Sequence, residues 1–140
     1  MDEILKAKAL LVGETRCAVV KGDMIYASDR RGIAPLLELY DRGEDWNGCV
    51  AADRIIGKAA ALIYAKLGAA ELFAAVLSRS AIDVLNRFDI RFSYGVLSDR
   101  IINRKGDGIC PMEQTVMDID DPDEAIKALK RTVAALRAAK

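Results

Sequence analysis

Histidine is missing from all 140 residues, and that absence alone removes whole reaction classes. Without an imidazole there is no Ser-His-Asp or Cys-His nucleophile and no His-ligated metal. Cysteine is scarce: Cys17, Cys49 and Cys110 are odd in number and far apart. They read as reduced thiols rather than a disulfide framework, and without a C-x-x-C pair they offer no structural zinc site. Net charge is zero, with basic residues scattered among acidic ones, so the chain carries no electrostatic footprint for nucleic acid or an anionic membrane. No apolar run approaches the roughly 18 residues that span a bilayer, and Asp2-Glu3 does not open a signal peptide. A cytoplasmic protein with no nucleic-acid partner, no membrane partner and no cofactor is the expectation. One domain over residues 1–140 is expected as well, long enough to bury a sizeable core.

What is present centres on Val50 to Gly68, VAADRIIGKAAALIYAKLG, the longest run with helical composition and almost all-round apolar character. It reads as a central buried helix. Gly57, Ala59, Ala60 and Ala61 would let a neighbour approach closely, and Asp53 would sit near the N-terminus, favourably placed in the helix dipole. Asp53 and Lys58 are then either capping and snorkelling residues or a polar cluster facing a pocket.

Around that stretch the pattern alternates. Glu3 to Leu11 reads as an amphipathic helix covering a sheet, and Cys17–Val20 with Met24–Ala27 as a hairpin turned by Lys21-Gly22-Asp23. Pro35 opens a helix that stops near Gly43. Glu71–Leu77 and Arg91–Leu97 read as strands separated by a helix that Ser78-Arg79-Ser80 caps, with Gly95 marking a bulge or close approach. A piece around Ile101-Ile102 is a doubtful fifth strand. Pro111 opens a short helix, and Asp121 a last one from Pro122 to Ala139. Such β-α-β-α-β order implies partly parallel pairing with helices on the sheet faces.

Few constellations carry chemistry. Cys110 would be a thiol at a helix N-terminus, where the dipole and Arg104 or Lys105 favour the thiolate while Glu113, read as its capping-box partner, opposes it. Gly106-Asp107-Gly108 before that helix resembles a weak phosphate-cradling loop, being neither a Walker motif nor G-x-G-x-x-G. Asp118 to Glu124 lacks the spacing of a calcium loop and reads as a solvated helix entry. Arg30-Arg31 reads as a solvated turn rather than a phosphate site.

The hairpin, the Pro35 helix, Gly57-Lys58-Ala59-Ala60 after Asp53 and the late Cys110-Pro111-Met112-Glu113-Gln114 together resemble an uncharacterised prokaryotic family, DUF1893, over most of the chain. The resemblance implies a cytidine deaminase-like α/β fold: a three-layer α/β/α sandwich with a mixed sheet of about five strands. True deaminases place H-x-E (or C-x-E) at the start of the helix after the hairpin and P-C-x-x-C at the start of the next, holding zinc and a proton-shuttling Glu. Here Ala51-Ala52-Asp53 stands near the first position and Ser78-Arg79-Ser80-Ala81 at the second, so neither zinc nor the Glu carries over. The expected function is zinc-free binding of a nucleotide or related metabolite by Asp53, Lys58, Ser78, Arg79, Gly106, Gly108, Cys110 and Glu113. The alternatives are a zinc-independent enzyme using Cys110 or the Asp53/Lys58 pair, and an assembly module forming a homo-oligomer.

Overall fold

The computed structural model describes residues 2–102, 106 and 108–139. Its first half is a helix and a hairpin: α1 (Glu3–Ala9), β1 (Cys17–Lys21) and β2 (Met24–Ser28), followed by α2 (Ala34–Asp41). Gly22 takes a positive φ of 57° in the turn between the strands, a conformation that costs glycine nothing because it has no Cβ. Then come β3 (Val50–Ile56), α3 (Lys58–Leu67), β4 (Glu71–Ser78), α4 (Arg79–Arg87), β5 (Arg91–Ser98), α5 (Pro111–Thr115) and α6 (Pro122–Ala138).

The strands form one mixed sheet in the order β2-β1-β3-β4-β5. β1 pairs antiparallel with both β2 and β3, whereas β3, β4 and β5 run parallel. α1 lies on one face, where Ala7, Val20, Ala52 and Phe73 pack together. The opposite face carries the main core, in which Leu36 and Leu39 of α2, Leu62 and Ile63 of α3, Leu85 of α4 and Leu129 of α6 meet Val19, Ala51 and Leu72 of the sheet. This is the expected α/β class, three layers with a mixed five-stranded sheet.

One element differs from the sequence reading. Val50 to Gly68 is not a single helix: Val50–Ile56 is the central strand, Gly57 is the turn, and only Lys58–Leu67 is helical. The missing fifth strand is therefore β3, and the doubtful piece at Ile102 makes only an isolated bridge to Ile109. β3 is buried on both faces over Val50–Ala52, so it lacks there the polar alternation that marks a half-exposed strand, and a continuous apolar run is equally compatible with a buried helix.

The parallel half has an irregularity at mid-strand. Ala51 and Ile56 both face the main core, as do Ala74 and Leu77, and Phe92 and Leu97. Each pair is an odd number of residues apart, so the alternation shifts by one in all three strands. Arg54, Ala75 and Gly95 drop out of the pairing at that level. A Cβ on Gly95 would lie 2.9 Å from the Ala75 carbonyl oxygen, which is the close approach the lone strand glycine suggested.

Candidate functional site

At the carboxyl ends of the parallel strands, α3 and α4 begin beside one another, and α5 packs against α3. Gly57, the N-cap of α3, has no side chain with which to satisfy the first amides of the helix. Glu113 on α5 supplies it instead: Lys58 N–H donates to Oε1 at 2.8 Å and Ala59 N–H to Oε2 at 2.9 Å. A Cβ on residue 57 would overlap this carboxylate, so the glycine is the space into which Glu113 fits. Ser80 donates a longer bond to Oε1 at 3.3 Å, so the hydroxyl of Ser78, fully buried, donates to Ser80 Oγ at 3.0 Å. Ser78 is the α4 N-cap, but its hydroxyl turns to Ser80 rather than back to the helix amides.

Beside this network lies a cleft of about 440 Å³, lined by Lys58, Ser78, Ser80 and Glu113 and by Asp83, Arg87, Asp99, Arg100 and Asp120, with Val84, Ile101, Ile109 and Met117 as its apolar wall. Lys58 is largely enclosed, its side chain 14% exposed, and is held by Asp120 at 3.0 Å and the Met117 carbonyl at 3.1 Å. Its hydrogen bond, then its charge, hold the Asp120 carboxyl below the ordinary carboxylate range. Arg87 donates to the Asp120 carbonyl. The cleft thus alternates cations and carboxylates over an apolar patch and suits a ligand with both anionic and donor groups.

Of the residues expected at a site, Lys58, Ser78 and Glu113 come together here. Glu113 does so in a different role, since it caps α3 rather than forming a capping box with Cys110. Arg79 turns outward to Asp99 at 2.7 Å and does not line the cleft. Gly106, Gly108 and Cys110 do not line it either; Cys110 is the half-buried N-cap of α5 and its side chain makes no capping bond. Arg104, Lys105 and Asp107 lie outside the described residues.

Asp53 is the clearest correction. It sits in β3, paired across the ladder with Cys17, and not at a helix start. Tyr64 Oη donates to its Oδ2 at 2.8 Å and Ile55 N–H to its Oδ1 at 3.3 Å. Asp53 keeps a little solvent contact, yet its carboxyl is enclosed by core side chains. Lost hydration raises its pKa from 3.8 to about 7, against the lowering effect of those two hydrogen bonds. The Asp53 and Lys58 side chains therefore have separate partners and form no acid–base pair. Cys17 and Cys49 are buried, and burial pushes their thiols up to about 12 and about 11.

The α4 contribution went unnoticed in the sequence although its signal was there: Ser80, Asp83, Val84 and Arg87 follow the i, i+3, i+4, i+7 spacing of one helix face. Asp99, Arg100 and Asp120 had no such signal, being loop residues. The helix starts that follow the hairpin also lie elsewhere in the chain than Ala51–Asp53 and Ser78–Ala81. The helix after the hairpin is α2, opening at Ile33-Ala34-Pro35, and the next is α3, opening at Gly57-Lys58-Ala59. Neither carries a thiol, and among the described residues no three His, Cys, Asp or Glu side chains gather as a metal would need.

The profile of a domain of unknown function, DUF1893, matches residues 6–133. A crystal structure of a DUF1893 family protein from Thermotoga maritima is 29% identical and superposes with a TM-score of 0.81, covering 94% of this chain and 90% of that one. A diaminohydroxyphosphoribosylaminopyrimidine deaminase/5-amino-6-(5-phosphoribosylamino)uracil reductase from Thermotoga maritima is 13% identical with a TM-score of 0.43, over 58% of this chain and 29% of that one. No curated protein matches.

Proposed function

Since the chain belongs to the DUF1893 family, whose function is unknown, we propose from the geometry alone that it binds a small polar metabolite of nucleotide size in the cleft between α3, α4 and α5. The observation that carries this reading is the cleft itself. Its volume, about 440 Å³, falls within the roughly 300–1,000 Å³ of small-molecule sites. It lies outside the carboxyl ends of parallel strands, the usual ligand position in open α/β sheets. Arg87 and Arg100 meet an anionic group, Asp83 and Asp99 accept from amino or hydroxyl groups, and Val84, Ile101 and Met117 pack against an apolar ring or chain. The first amides of α3 do not take part, because Glu113 already occupies them. No observation favours the enzymatic alternative built on Cys110 or on Asp53 with Lys58.

The test is native mass spectrometry of gently purified protein, followed by thermal shifts with nucleosides and their phosphates. A ligand at 100 times its Kd stabilises the fold by ~2.7 kcal/mol. The expected result is a retained small molecule or a shift with one ligand class, abolished by Arg100→Ala or Arg87→Ala. No retained mass and no shift across the series would reject the reading.

A further inference from the structure

The second edge of the sheet is unusual. β5 is eight residues long, and among the described residues nothing pairs with its outer side. Edge strands normally avoid self-pairing with an inward charge, a proline, a bulge or a short length, and the mid-strand shift at Gly95 is the one such feature in β5. From Phe92 to Ser98 β5 has neither charge nor proline, and it leaves Tyr94 43% and Val96 59% exposed. β2, at the other edge, has only five residues.

From this edge we propose that β5 is a homodimer interface, pairing antiparallel with β5 of a second copy about a two-fold axis between Tyr94 and Gly95, so that two sheets join into one. The mid-strand shift limits the register. Because Phe92 and Leu97 share the core face, side chains of both copies stay on their proper faces only where an even position before Gly95 meets an odd one after it. The register that overlaps the whole strand, Arg91 opposite Ser98, meets this condition. It brings Phe92 against Leu97 of the second copy, an aromatic–aliphatic cross-strand pair. It also sets Tyr94 beside the Gly95 of the second copy, where an aromatic ring covers a bare glycine. Arg91, resting at 3.5 Å on Glu71, arrives next to Asp99 of the second copy, which already holds Arg79 at 2.7 Å. The contact is isologous and closes after two copies, so it forms no filament.

Sedimentation and light scattering of the full chain at about 50 µM test this. The expected mass is twice 15.3 kDa, falling to the single mass in Val96→Lys and in Tyr94→Lys. Both side chains are solvent-exposed in the lone chain, so circular dichroism of the variants is expected to match the parent. Hydrogen exchange supplies the second readout: amides within residues 92–97 are expected to exchange at least tenfold faster in Val96→Lys. A monomeric parent, a folded Val96→Lys that stays dimeric, or residues 92–97 exchanging as fast in the parent as at a free edge would each overturn the proposal.

Discussion

Asp53 shows how a single residue's environment changes its chemistry. Its carboxyl titrates near 7 in the folded chain and near 3.8 when unfolded, so the native state binds that proton more tightly. The sign follows: the contribution is complete below the unfolded value and is lost as pH rises between the two values, then stays level. One unit of such a difference is worth ~1.4 kcal/mol, so the parent is expected to lose more than ~1 kcal/mol across this range relative to Asp53→Asn. Asn keeps the acceptor for Ile55 N–H and offers a donor to Tyr64 Oη. Urea titrations at pH values on either side of the window measure it, and parallel pH profiles for the two proteins would refute it. The thiols make a second case. Cys17 and Cys49 are buried with raised pKa values while Cys110 is half-exposed, and the thiolate is the reactive form. A disulfide reagent is expected to label one thiol per native chain, Cys110, and all three only after denaturation; peptide mapping identifies which.

Among the elements, α3 depends most on a distant partner. Its first two amides are satisfied by Glu113, 54 residues or more along the chain, and loss of an N-terminal cap typically costs ~1 kcal/mol, with up to ~2 in proteins. Glu113→Ala is expected to lower stability by about 1–2 kcal/mol in chemical denaturation, and Glu113→Gln by less, because one acceptor remains. Gly57→Ala is expected to destabilise at least as much as Glu113→Ala, since its methyl would displace the same carboxylate. A neutral Gly57→Ala would show that the clasp is dispensable. The sequence shows a capping signal at Asp121, where the side chain accepts from Glu124 N–H three residues on. It shows none at Gly57, because the partner comes from another helix and no local spacing encodes it.

At the scale of the whole molecule, donor chemistry gives one more expectation: elemental analysis of the purified protein should find no stoichiometric zinc, and about one tightly held zinc per chain would contradict it. No helix among the described residues is long and apolar enough to cross a membrane. Local pattern was enough for the hairpin, α1, α2, β4, α4, β5 and α6: turn glycines, prolines and capping residues mark their ends, the helices repeat an apolar face, and the strands are short apolar or aromatic runs. The absence of histidine and the spacing of the cysteines likewise settled from the letters which ligand sets the chain does not possess. The central strand was decided only by tertiary structure. The first half of β3, Val50–Ala52, is buried between α1 and the main core, so burial on both sides erased the period-two signal that would have separated it from α3. Three-dimensional packing also decided the roles of the polar residues: the same letters at Asp53, Glu113 and Arg79 became a core carboxyl, a remote helix cap and a surface ion pair. A side chain's partner is fixed by which elements the sheet order brings together, and the sheet order is a global minimum over contacts that no window of sequence contains.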